Sequence, residues 1–436
     1  MRDVRRVATR AGSALQNVIV RRHRPDYQIV LYTGLLMLLG LIIMYAIGPQ
    51  RANVLNNAYG TDYYTSMYFF LKQTVSLLLA LVTFLALASI PYTIVKKHAT
   101  KILLVGLGAC LLLFFAGNLL QLGIAQCTLG ACRWFDLGPL GSVQPAELLK
   151  FGLLIFTAGF LGMRAKQGLV NDLHKTLIPL GVLVGVSAFF IIGLQKDMGT
   201  GIAMLAIIAC MALISGISKK VGVTLLGITM IAGALLIVIA PHRIERVTTF
   251  LAGDNTTEEA KSDESYHITH AKIAIGSGGI AGVGIGNSVQ ATGYLPEAIN
   301  DSVFAIMGET FGFVGLVIIL ALFTALLLRL LKVADHLPDQ WMKLTVVGVF
   351  GWLAAHVILN VAAMIGVFPL TGITLPLLSF GGTSMIFIAG ALGLAFQLSR
   401  YTEHGSINKE KLDANIGSRR GVGRTRNTSR RGPTRT

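Results

Sequence analysis

The sequence predicts an all-α membrane protein of about ten transmembrane helices with both termini cytoplasmic, on three observations. Of 436 residues, 53% are hydrophobic and 13% charged, where an ordinary soluble domain carries roughly 25% charged residues. The apolar residues gather in ten stretches near 28–48, 67–89, 102–123, 147–165, 175–195, 197–216, 220–240, 302–329, 343–366 and 375–398. Each is close to the roughly 20 residues that span a bilayer core of about 30 Å. The formal net charge of +16 is concentrated at the ends: residues 1–27 hold seven Arg against two Asp, and residues 400–436 hold ten Lys or Arg against three acids. Excess positive charge alone would point first to nucleic acid. A nearly neutral apolar body between basic tails excludes that partner and points to membrane lipids.

Taken in order, residues 1–27 form a basic tail, 28–400 a polytopic domain and 401–436 a second basic tail, expected to be disordered for want of apolar residues. The first stretch is about twice the apolar length of a signal peptide and lacks a small-residue cleavage site, so it is expected to remain. With a cytoplasmic amino terminus, 28 of the 37 Lys and Arg fall on the inner side and seven outside, with Lys72 and Lys150 inside apolar stretches. The positive-inside bias therefore fixes the orientation. A long extracytoplasmic loop, 241–300, joins stretches seven and eight. Its middle, 253–265, is polar and acidic and is expected to be exposed. Residues 266–293 are rich in Gly, Ile and Ala, which predicts a short helix or re-entrant segment held against the membrane domain. None of the four cysteines lies in a CxxC spacing, which argues against a zinc site. Cys127 and Cys132 share an outer loop at a spacing that permits a disulfide.

Ionisable groups at membrane depth are costly and mark functional sites. In 133–150 (RWFDLGPLGSVQPAELLK), Pro145 suits a first helical turn, and Glu147 and Lys150 share a helical face. They read either as a structural ion pair or as the wall of an outward-opening polar cavity. In 294–315 (YLPEAINDSVFAIMGETFGFVG), Asp301 stands at the outer lip of the eighth stretch, as a helix N-cap or as a functional acid. Glu309 lies about two turns deeper, with Lys72 as a candidate partner. The glycine run 276–288 contains GxG spacings but no preceding strand, so close packing of a re-entrant turn explains it better than a nucleotide loop.

These motifs, in this order, resemble the shape, elongation, division and sporulation (SEDS) family of FtsW/RodA type, closer to its division-type members (FtsW). The resemblance spans about 26–400. Arg133–Trp134, Leu137–Gly138 and Gln144-Pro145-Ala146-Glu147 resemble the family's RW-x-x-LG…QPSE, and 194–200 (LQKDMGT) its QPDLGT. Residues 275–288 with Gln290 resemble the glycine segment ending in SxQ, and 294–315 the YLPEAHTDFIFA segment. Asn360, Gly366, 369–372 and 375–384 resemble N-x5-G-x2-PVTG and LPFxSYGGSS. Lys196 stands where the family has Pro, Ile299-Asn300 where it has His-Thr, and Thr310 where it has a second Glu.

The resemblance implies a peptidoglycan glycosyltransferase that polymerises lipid II into glycan strands at the outer face of the bacterial cytoplasmic membrane. Asp301 aligns with the family's essential acid, the catalytic residue. Arg133, Gln144, Glu147, Lys150, Gln290 and Glu297 are the expected substrate-binding residues. A divalent cation, Mg or Mn, is a possible aid to the departing pyrophosphate. Expected partners are a class B penicillin-binding protein that cross-links the product, and other division or elongation machinery. The alternatives are a flippase for lipid II, with the polar cavity as its path, an elongation-type polymerase, and a scaffold for the division machinery.

Overall fold

The computed structural model describes residues 23–128, 131–136, 138, 141–218, 220–222, 227 and 263–403. Within them the chain forms α1 (Tyr27–Tyr59), α2 (Tyr68–Ser89), the short α3 (Tyr92–Lys97), α4 (Ala99–Leu119), α5 (Pro145–Lys166), α6 (Leu173–Leu194), α7 (Met198–Ile214), α8 (Asp263–Ser277), α9 (Val303–Asp335), α10 (Gln340–Met364) and α11 (Gly382–Leu398). Eight of these are long and apolar enough to cross a bilayer, and α7 is a shorter apolar helix. Nine of the ten expected stretches coincide with helices. The seventh, 220–240, lies almost wholly outside the described residues, as do the N-terminal tail to residue 22, loop residues 241–262 and the tail beyond residue 403.

Successive helices alternate in direction between two faces. One face is tied by Lys166–Asp339 (3.0 Å), by the His23 N–H to the Arg400 carbonyl (2.8 Å), and by the Ser218 N–H to the Asn171 side chain (2.8 Å). The other holds Gln144–Asp197 (3.0 Å) and Thr383 on the Ser142 carbonyl (2.7 Å). α7 ends on the first face, where Ser218 meets Asn171, and α9 starts on the second.

Burial separates centre from rim. In α5, α10 and α11, 72%, 72% and 78% of the apolar span is buried, against 17% in α2 and 28% in α6 and α9. The rim helices expose Leu71, Val75, Leu78, Val82 and Leu85 on α2 alone. In water such a stripe would drive association; in hydrocarbon it is the lipid-facing surface.

Lipid offers no hydrophobic gain for helix association, so close backbone approach matters. α4 and α5 cross at a reciprocal glycine contact: a Cβ on Gly106 would lie 2.8 Å from the Leu149 Cα, and one on Gly152 would lie 2.9 Å from the Leu103 Cα. Between these helices sits an element that the apolar pattern did not predict. β1 (Ala125–Thr128), β2 (Ala131–Asp136) and β3 (Ser142–Val143) form an antiparallel sheet in that order. The Cys127–Cys132 disulfide closes its first hairpin.

Within the expected 266–293 segment, α8 runs to Ser277 and the glycine run that follows packs against α9. α9 breaks at Gly312 (φ 67°, ψ −169°), and the glycine loop takes up the freed backbone groups. Val283 and Gly284 N–H donate to the Glu309 and Thr310 carbonyls (2.9 and 3.1 Å). Phe313 and Val314 N–H donate to the Gly279 and Ile280 carbonyls (2.9 and 3.2 Å). Irregular backbone is tolerated at membrane depth only where protein satisfies it in this way. A Cβ on Gly282 would fall 2.3 Å from the Thr310 carbonyl oxygen, so the loop requires glycine there.

Gly152→Val is expected to push α4 from α5, at a cost of about 1–3 kcal/mol for an overpacked site, read as a lower melting temperature in detergent. Gly108→Ala, on the same helix as Gly106 but with nothing within 4 Å of the new Cβ, should leave that temperature unchanged.

Candidate active site at the second face

The site is built on α10. The side chains of His356 and Asn360, four residues apart, stand on one face about 6 Å along the axis, and both are buried. The Asn360 amide donates both hydrogens, one to the Asp301 carbonyl and one to the Ile373 carbonyl, each at 2.7 Å. His356 Nε2 lies 3.2 Å from Lys150 Nζ, and Nδ1 lies 3.4 Å from the Thr374 carbonyl. An ammonium can only donate, so Nε2 accepts and Nδ1 carries the ring proton toward Thr374.

Lys150 is fully enclosed, 0% exposed. Its ammonium is compensated by Glu147 Oε1 at 2.8 Å, by His356 and by the Trp352 ring, whose centroid is 4.9 Å away. Removing one partner of a buried pair costs about 3–5 kcal/mol, because the other charge is left in low dielectric. Of the two readings of Glu147 and Lys150, the ion pair is therefore present. They are connected to the Asp301 turn through α10 and the 373–374 backbone.

Asp301 is half-buried on the turn preceding α9. The N-cap position itself falls on Ser302, one residue later. Several bonds fix this turn. Glu297 adopts φ +49°, and its carbonyl accepts the Asn300 and Ser302 N–H groups (2.9 and 3.2 Å), while the Asn300 side chain donates to its carboxylate. The Ile299 carbonyl accepts the Phe380 N–H at 2.8 Å. Ser302 Oγ donates to the Pro296 carbonyl (2.8 Å) and lies 2.5 Å from His267 Nε2, which therefore supplies the donor. Burial pushes the His267 pKa below 6.5, opposed by the nearby Glu297 carboxylate.

The remaining expected residues fall around this centre. Gln290 is buried, with His270 Nδ1 donating to its Oε1 (2.8 Å). Glu309 does not reach Lys72. Its carboxylate accepts Ser288 Oγ (2.5 Å), the Val289 N–H (3.0 Å) and the Gln290 N–H (3.2 Å), so it caps the loop that carries Gln290. Lys72 instead lies over the Tyr68 ring. Arg133 donates to the Gln195 and Lys196 carbonyls (3.3 and 2.9 Å), and Gln144 donates to Asp197. Both thus brace the α6–α7 corner, where Asp197 caps α7 through the Thr200 N–H (2.9 Å). Lys196 there has φ +53°, which proline cannot adopt, so this corner takes a path closed to the family's Pro.

Sequence reasoning missed His267, His270 and His356. A polar residue one turn from Asn360 in an apolar stretch was the available signal for His356. Among the described residues no three of His, Cys, Asp and Glu are grouped to hold a metal.

A polytopic helical membrane protein with an acid-bearing turn locked above a buried ion-pair network is the class that fold and site define. The family described as "Cell cycle protein" (FtsW/RodA/SpoVE) matches residues 27–404, and the chain belongs to it. It is 32% identical to stage V sporulation protein E of Bacillus subtilis, over 88% of this chain and 99% of that protein. It is 31% identical to a probable peptidoglycan glycosyltransferase FtsW of Nitrosomonas europaea, over 86% and 93%. Among solved structures it is similar to a chain of a peptidoglycan synthase complex described as coordinating polymerization and crosslinking, with TM-score 0.64 and 26% identity over 87% and 99% of the two chains. The fold is shared with rod shape determining protein RodA of Thermus thermophilus, with TM-score 0.60 and 24% identity over 87% and 98%.

The folded state favours neutral His267, so the bonding of α8 to the Asp301 turn is fully present above pH 6.5. It weakens as pH falls through the lower folded value. The protection factor of the Ser302 amide, the intrinsic exchange rate at the same pH divided by the observed one, is expected to fall on acidification below pH 6.5. His267→Gln, which retains a donor, should flatten that dependence.

Proposed function

We propose that this protein is an inverting peptidoglycan glycosyltransferase that polymerises lipid II at the outer face of the bacterial cytoplasmic membrane, acting at the division site. Membership of the FtsW/RodA/SpoVE family supports the reaction class. The observation that carries the residue assignment is the locking of the Asp301 turn: Asn360 holds its carbonyl and Phe380 that of Ile299. A general base must be held in place to act, and such fixing is what a reaction between two bound substrates demands.

In this reading the acceptor's 4-hydroxyl attacks the donor's anomeric carbon. The new C–O bond forms as the bond to pyrophosphate breaks, undecaprenyl pyrophosphate leaves, and the hydroxyl proton passes to the Asp301 carboxylate. General-base assistance of this kind contributes about 10²–10⁴-fold. Glu297 orients the same turn, and Gln290 borders it on the α8 side. Lys150, enclosed one turn below, acts as a positioning residue through His356 and α10. A Mg or Mn ion, where used, would be held by Glu297 and Asp301 and would supply charge neutralisation at the pyrophosphate. Nothing in this arrangement resembles a transpeptidase nucleophile, so cross-linking of the product falls to a class B penicillin-binding protein. The flippase reading is less favoured, since Asp301 lies at the start of α9 on one face rather than at mid-membrane.

Asp301→Asn keeps size and hydrogen bonding but removes the basic lone pair. It is expected to abolish glycan synthesis from lipid II presented on the outer side, while lipid II binding persists. A variant polymerising at near wild-type rate would refute the assignment and transfer it to Glu297.

A further inference from the structure

On the face opposite Asp301, the start of α1, the end of α9 and the residues after α11 enclose a cavity of about 580 Å³. Its walls include Arg24, Asp26, Arg329, Lys332, Val333 and Ser399. Charge is unevenly compensated there. Arg329 is paired with Asp26, whose backbone N–H also donates to Ser399 Oγ (2.8 Å). Among the described residues, Arg24 and Lys332 have no such carboxylate partner. Asp335 and Glu403 are nearby in sequence, but neither lines the cavity. The pocket is therefore a recess of net positive charge with two exposed basic groups.

A second observation specifies the ligand. α1 exposes Tyr27, which itself lines the cavity, and Leu31 one turn further along, and the adjacent α9 exposes Leu328 and Leu331. α1 and α9 pack on each other, so the basic recess opens onto apolar flanks of both helices. A soluble anion would use the first feature and leave the second without a role. An amphiphile with an anionic head and apolar tails uses both, as in basic pockets between transmembrane helices on the cytoplasmic side.

We propose that this cavity is a headgroup site for an anionic phospholipid. The phosphodiester lies between Arg24 and Lys332, the Asp26–Arg329 pair shapes the floor, and the acyl chains run along the exposed flanks of α1 and α9. The proposal is independent of the reaction assigned to the opposite face.

The test titrates the purified full-length protein in neutral detergent with phosphatidylglycerol, phosphatidylcholine or inorganic phosphate, and measures bound lipid by native mass spectrometry. Phosphatidylglycerol is expected to be retained in preference to phosphatidylcholine. The double variant R24Q/K332Q should bind it roughly 30-fold more weakly, from about a fivefold loss per basic group. R24K/K332R should restore binding, which separates lost charge from lost folding. K97Q/K101Q, which removes two exposed lysines of the same face outside the cavity, should bind as wild type. Unchanged binding by R24Q/K332Q, or an equal loss in K97Q/K101Q, would overturn the site. Displacement of the lipid by inorganic phosphate would overturn its assignment to a lipid headgroup.

Discussion

The buried polar face of α10 is the constraint on which the active-site geometry depends. His356 and Asn360 could not lie in an apolar helix without partners, since an unpaired polar group in low dielectric is costly. Their partners are the very elements that must be placed: Lys150 with Glu147 from α5, the Asp301 turn before α9, and the 373–374 backbone before α11. The hydrogen-bonding need of two side chains thus sets the relative position of three parts of the chain that are far apart in sequence. The helices that carry the buried groups, α5 and α10, each have 72% of their apolar span buried.

The same accounting explains the broken α9. A helix interrupted at Gly312 leaves backbone donors and acceptors that water would satisfy in a soluble protein. Here the glycine loop at 279–284 supplies the missing partners, and Glu309 caps the loop further along. The loop must approach so closely that side chains are excluded at Gly282. Sequence richness in glycine, membrane depth and a kinked helix are therefore one feature seen three ways.

Much of this was legible in the sequence for a simple reason: hydrocarbon demands apolar stretches of one length, and nine of the ten stretches coincide with helices. Pro145 at a first turn, Glu147 with Lys150 on one face, and the packed glycine segment were equally local signals. The disulfide between Cys127 and Cys132 was readable as permitted, and the structure forms it. What escaped was non-local. The partner of Glu309 is a loop twenty residues upstream rather than Lys72, because backbone N–H groups leave no mark in a sequence. The hairpin of β1 and β2 is too short for alternation to show. His356 offered only its polar character one turn from Asn360, and its partner could not be read because Lys150 arrives from another helix. Arg133 and Gln144 bear motif resemblance, yet their visible work is bracing the α6–α7 corner.

The claim that α10 positions the proposed general base is tested most directly by Asn360→Leu, which keeps the branched side-chain shape and removes both donated hydrogen bonds. The measurement is single-turnover glycan synthesis on lipid II, with melting temperature and lipid II affinity recorded for the same preparation. The account predicts a folded protein that binds lipid II but turns over roughly 10²-fold more slowly, the effect expected of about 1 Å misplacement of a reacting group. A folded Asn360→Leu protein with the wild-type single-turnover rate would contradict it.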